Sequence, residues 1–191
     1  MKATKSILFT GVGGQGIILA SKILSSALIR AGYDVKMSEV HGMAQRGGSV
    51  TTQVRFGEEV HSPIIGKGQA DVIVSFEKME AIRALDYLKD GGKMIVNDYK
   101  IPSAPILNGS ADYPQGINEY LSEHANTLIF DAEKYAIELG NIRAMNVVIV
   151  GALAKALDLP NVDWNQCIAD NVKAQFVDLN KKAFEVGYNL A

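Results

Sequence analysis

The chain has 191 residues, a formal net charge of −2 at pH 7 and 48% hydrophobic residues. That length suits a single domain, residues 1–191, with a helical C-terminal part from about residue 144. The near-neutral charge excludes a nucleic-acid or membrane-surface footprint, and no run of about 18 apolar residues exists to span a bilayer. The apolar stretch after the basic Met1–Ser6 is too short for a signal-peptide core, so a cytoplasmic protein is expected.

In chain order, Lys5 to Thr10 is apolar and reads as a buried first strand. Ile17, Ile18, Ile23, Leu24, Ala27 and Leu28 then fall on one face of a helix, with Gly32 as its stop. Asp34 to Glu39 reads as a second strand and His41 to Gly48 as a loop. Ser49 to Phe56 alternates β-branched and polar residues, Gly57-Glu58 turns, and Val60 to Ile64 is expected to pair back as an edge strand carrying Pro63. This hairpin predicts a mixed sheet.

Alternation then resumes. Asp71 to Phe76 is a strand, Glu77 to Lys89 a helix ended by Asp90-Gly91-Gly92, and Lys93 to Asn97 a strand. Pro102, Pro105 and Pro114 make residues 99–115 an irregular excursion. A short helix over Ile117 to His124, a strand over Thr127 to Asp131 and a helix over Ala132 to Leu139 follow. Met145 to Leu157 is apolar nearly all round, so it is buried either in the domain or in a subunit interface, a homodimer included when no partner is present. The tail from Asp163 is helical, with Trp164 and Phe176 as packing anchors. The fold class is α/β: a Rossmann-like three-layer α/β/α domain with a mixed sheet and C-terminal helices.

Two segments carry chemistry. Gly11, Gly13 and Gly16 match G-x-G-x-x-G between a strand and a helix. There the first glycine permits a sharp turn, the second lets backbone approach a ligand, and the third lets helix pack on strand. The helix start offers unpaired N–H groups to an anion. Gly14 opens the turn further and Gln15 brings an amide to the helix start. Glu39 ends the second strand, where a dinucleotide-binding domain places its ribose-binding carboxylate. These residues alone leave open a nucleotide or phosphate ligand, a glycine loop used only for packing, and a contact with a partner chain.

The second segment, His41-Gly42-Met43-Ala44-Gln45-Arg46-Gly47-Gly48, should emerge at the same sheet edge. Arg46 beside Gly47 and Gly48 is suited to grip a carboxylate or phosphate, with a surface ion pair as the plain alternative. His41 could titrate near neutrality or be a structural residue.

No G-x-S-x-G, H-E-x-x-H or Walker A motif is present, and no Gly-Asp-Gly of the kind that holds the magnesium of thiamine diphosphate. No catalytic residue and no metal ligand is assigned. The one cysteine, Cys167, reads as a small apolar packing residue and cannot hold an iron–sulfur cluster, which takes four thiolates. Ligand loops without reaction machinery suggest a subunit.

Gly11–Gly16, the run Ser38 to Val50 and Asn146 to Leu153 together resemble the gamma-type domain of 2-oxoacid:ferredoxin oxidoreductases over residues 5–185. The His-Gly-Met-Ala-Gln-Arg-Gly-Gly version resembles the indolepyruvate type of that family. The resemblance implies a larger alpha subunit carrying thiamine diphosphate, magnesium and 4Fe–4S clusters, with none bound by this chain alone. It implies oxidative decarboxylation of an aryl pyruvate with coenzyme A to an aryl-acetyl-CoA, with ferredoxin reduced through the complex and the isolated chain inactive. It assigns a supporting role at the cofactor or coenzyme A site to Gly13, Gly14, Gln15, Arg46 and Gly47. A free-standing NAD(P)-dependent oxidoreductase is the alternative reading, and a non-catalytic structural partner a third.

Overall fold

The structure is a computed structural model. It describes residues 3–42, 47–159 and 162–191. Among these residues six strands form one sheet: β1 (Lys5–Val12), β2 (Asp34–His41), β3 (Ser49–Gly57), β4 (Ala70–Ser75), β5 (Leu88–Asn97) and β6 (Asn126–Phe130). Their spatial order is β2-β3-β1-β4-β5-β6. β3 runs antiparallel to β1 and β2, while β1, β4, β5 and β6 are mutually parallel. The sheet is mixed, as expected, but its hairpin is β2–β3, joined through the His41–Gly48 loop.

Val60 to Ile64 forms no strand. Side chains hold this segment to the sheet in place of a ladder. The Asp34 carboxylate accepts from the Val60 N–H (2.8 Å), and Arg55 donates to the Ser62 and Ile64 carbonyls. Pro63 in its middle has no N–H to offer a neighbour.

Eight α-helices lie among the described residues: α1 (Ile17–Arg30), α2 (Lys78–Ala84), α3 (Ala104–Leu107), α4 (Ile117–His124), α5 (Ala132–Glu138), α6 (Met145–Leu157), α7 (Trp164–Asn171) and α8 (Val177–Leu190). The helix expected over 77–89 is α2 followed by a 3-10 turn, Leu85–Tyr87. Asp90-Gly91-Gly92 is not a helix exit but part of β5, where the register against β4 shifts. A side chain at Gly92 would strike the Ala70 and Lys89 carbonyls, so the irregularity needs glycine there.

Alternation along β1 sorts two cores. Ile7 and Phe9, with Val72, Val74 and Ile95, face α1, α5, α6 and α8. Leu8, with Ile73, Met94 and Val96, faces α2 and α4. Helices therefore cover both faces of the parallel part. α6 is apolar nearly all round because the sheet, α1, α5 and α8 surround it within the chain. It crosses α8 at two glycines. A Cβ at Gly151 would lie 2.7 Å from the Tyr188 nitrogen, and one at Gly187 2.7 Å from the Val148 carbonyl carbon. In the C-terminal layer Trp164 stacks on Phe184 (centroids 5.4 Å apart), which stacks on Tyr188. Phe184 is the buried anchor there; Phe176, expected in that role, is only half-buried. Cys167 is fully buried in the α1-side core, and burial pushes its thiol pKa up.

Among the described residues no helix is long and apolar enough to cross a membrane. No group of three or more His, Cys, Asp or Glu there is placed to hold a metal ion.

Candidate functional site

β1 and β2 run the same way, so Val12 and His41 end at one rim of the sheet, opposite Ser49 and Val50 of β3. Backbone joins the two loops there. The Gly13 N–H donates to the Gly48 carbonyl (2.9 Å) and the Gly47 N–H to the Gly13 carbonyl (3.2 Å). Ser49, just beyond, donates its hydroxyl to the buried Glu80 carboxylate (2.6 Å), which also takes Arg83. The structure thus brings Gly13, Gly47 and Gly48 together, and spends their polar groups on each other. Arg46 and Gln45 lie outside the described residues.

The glycines divide the work differently from the motif's usual reading. Gly11 makes no turn; it is still in β1, paired with Val50. A Cβ on it would lie within 2.9 Å of Gln15, Ile17 and Phe76. The turn falls at Gly14 (φ 108°), whose missing Cβ faces open space, and at Gly16 (φ 83°), the N-cap of α1. Gly16 packs not on a strand but on α6, since a Cβ there would stand 2.5 Å from Asn146 Nδ2. Gln15 closes the turn. Its Oε1 accepts from the Val12 N–H (2.7 Å) and its Nε2 donates to the Phe76 carbonyl (2.8 Å), so the amide ties the ends of β1 and β4.

What remains is an uncapped helix start. Among the described residues no side chain caps Gly16, and the first turn of α1 holds no acidic residue. The first helical bond is Ala20 N–H to the Gly16 carbonyl (3.1 Å), which leaves the Ile17, Ile18 and Leu19 amides ahead of the ladder. Three donors and the positive end of a 14-residue helix make a cradle for an anion.

Two clefts open beside this cradle. One, of about 320 Å³, is lined by Gly14, Gly16, Ile18, Glu39, His41 and Val50. The other, of about 610 Å³, lies between the starts of α1 and α6 and adds Tyr99, Glu133, Arg143 and Asn146. It opens at the β1/β4 switch point, where chain connections leave in opposite directions and ligands bind in open α/β sheets. Glu39 is exposed and shares the smaller cleft with the loop, but β3 stands between its strand and β1. A dinucleotide-binding domain sets that carboxylate on the strand next to β1; here it is one strand, about 5 Å, further out. Sequence reasoning missed Tyr99, Arg143 and the contact of Asn146 with Gly16. Arg143, just after the Gly140-Asn141 break, was the available signal.

On the opposite side of the rim, Glu77 is buried and accepts from the Glu80 and Ile101 amides and the Tyr113 hydroxyl. Burial, with this carboxylate beside it, pushes the Tyr113 pKa well up, so the phenol stays a donor. Asn97 donates to the Phe76 carbonyl and accepts from Ala132 N–H, linking the ends of β4 and β5 to α5.

A family model described as pyruvate ferredoxin/flavodoxin oxidoreductase matches residues 6–190. The indolepyruvate oxidoreductase subunit IorB of Pyrococcus horikoshii is 44% identical, over 97% of this chain and 95% of its own. The fold matches the gamma subunit of a keto/oxoacid ferredoxin oxidoreductase from Geobacter sulfurreducens, with TM-score 0.72 and 24% identity over 98% of both chains. It also matches 2-oxoglutarate:ferredoxin oxidoreductase from Magnetococcus marinus, solved with 2-oxoglutarate, coenzyme A and succinyl-CoA bound, with TM-score 0.75 and 22% identity over 100% of this chain and 31% of that one.

Proposed function

This chain belongs to the pyruvate ferredoxin/flavodoxin oxidoreductase family, and from that premise we propose that it is the small subunit of a cytoplasmic, thiamine-diphosphate-dependent 2-oxoacid:ferredoxin oxidoreductase of the indolepyruvate type. Its own share of the work is to receive the anionic part of coenzyme A at the rim and to complete the site of a larger subunit. The observation that carries this reading is the uncapped start of α1, with two clefts beside it.

The overall reaction oxidises an aryl pyruvate. The bond between its carbonyl carbon and carboxylate breaks, carbon dioxide leaves, the acyl carbon joins the coenzyme A sulfur as the thiol releases its proton, and the electrons go to ferredoxin. Thiamine diphosphate, held with magnesium on the larger subunit beside 4Fe–4S clusters, supplies the carbanion chemistry when bound. This chain's residues bind and orient. The Ile17–Leu19 amides meet a phosphate, Gly14 lets the backbone approach it, and Arg46 grips a second anionic oxygen. Gln15 keeps the turn closed. The name of the 44% identical relative supports the indolepyruvate branch.

The test is Ile18→Asp in the reconstituted complex. Ile18 is exposed on the first turn of α1, so the variant folds, while its carboxylate competes for the helix start. The KM for coenzyme A should rise about tenfold with the oxoacid KM unchanged. An unchanged coenzyme A KM would contradict the reading.

One observation favours the NAD(P)-dependent alternative: Glu39 lines the same cleft as Gly14 and Gly16. Tight NADH binding by the isolated chain in a fluorescence titration would establish it.

A further inference from the structure

α6 is apolar except for Asn146 and Lys155. Asn146 sits in its first turn and is only 4% exposed. Its Nδ2 donates to the Gly16 carbonyl at 3.3 Å, across 130 positions of sequence. Its Oδ1 is buried and has no partner among the described residues. A side chain kept for packing alone would not leave a buried acceptor unpaired in so apolar a helix, because that arrangement is costly. The fit is mutual: position 16 has room for glycine only, since Asn146 Nδ2 occupies the place of a Cβ.

The peptide plane explains what this contact achieves. The Gly16 carbonyl and the Ile17 N–H belong to one rigid unit. That carbonyl already accepts the first bond of α1, from Ala20. A second donor from Asn146 fixes the plane from the side, and so fixes the direction of the Ile17 N–H, one of the three donors left at the helix start.

We propose that Asn146 is a positioning residue: through the Gly16 carbonyl it aims the Ile17 amide at the anionic part of the ligand received at the rim. This rests on the reading of the rim as the coenzyme A site. The residue touches no reacting atom, so its signature is affinity for one substrate.

The experiment uses the complex reconstituted with the larger subunit, with coenzyme A as probe. Asn146→Ala should weaken coenzyme A about tenfold, both in KM and in the Kd from calorimetry, with kcat and the oxoacid KM changed less than about twofold. Asn146→Asp replaces the donor with an anionic acceptor facing a carbonyl, and should weaken coenzyme A more at pH 8. Burial raises the pKa of the introduced carboxyl, and its protonated form can donate to the Gly16 carbonyl again. Its deficit should therefore shrink as pH falls towards 5.5, relative to wild type at each pH. A purely structural residue would show no such recovery.

Coenzyme A constants within twofold of wild type in Asn146→Ala would overturn the proposal, as would equal losses for every substrate together with a pH-independent Asn146→Asp defect. If Ile18→Asp weakens coenzyme A and Asn146→Ala does not, the positioning role alone fails. If neither does, the reading of the rim fails with it.

Discussion

Glycine does opposite things at the middle of α6 and at the rim beside its start. Where α6 crosses α8, Gly151 and Gly187 have ordinary helical backbone, and their missing Cβ atoms are filled by the partner helix. At the rim, Gly14 has open space around it and is needed only for its backbone angle. The first pair removes space; the second creates a turn that leaves donors unpaired. The middle of the helix is packed to backbone contact, and its start borders a cleft of about 610 Å³. The crossing supplies the rigidity on which an under-packed rim can be held.

That contrast can be broken most forcefully at Gly187. Helix propensity alone says that Gly187→Ala gains up to about 1 kcal/mol. Contact between the helix backbones says the reverse, a loss of about 3 kcal/mol from overpacking. Urea unfolding decides, and a stabilised variant would show that the helices are not pressed together. Gln15→Ala comes next. It strips the partner from the Val12 amide, while the Phe76 carbonyl keeps Asn97, so about 2 kcal/mol should be lost in the same assay. Gly14→Ala meets no atom within 4 Å and suffers only from its positive φ, so about 1 kcal/mol is expected. A loss at Gly14 as large as that at Gly187 would erase the distinction.

Much of this was legible in the sequence. α4 and α6 match their expected bounds, and every strand of the parallel part was anticipated, because apolar runs and their breakers are local signals. The convergence of the glycine loop and the His41–Gly48 loop at one rim followed from strand direction. What failed depends on neighbours distant in sequence. Val60–Ile64 has a strand's composition but is held by Asp34 and Arg55. Asp90-Gly91-Gly92 looks like a helix stop, yet glycine is needed there because the Ala70 carbonyl lies close. Gly11 and Gly16 are spaced as a nucleotide motif, but Phe76 and Asn146 determine why each is glycine. Glu39 stood at the right count along the chain and one strand too far across the sheet, since β3 inserts between β2 and β1.

On the proposed reading, this chain prepares a binding rim for chemistry performed on a partner. The most direct test is reconstitution: indolepyruvate-dependent, coenzyme A-dependent dye reduction measured for the purified chain, for the larger subunit, and for both together. We predict no turnover by the small chain alone and full activity on mixing. Turnover by the isolated chain with a nicotinamide coenzyme, or full activity of the larger subunit without it, would contradict the account.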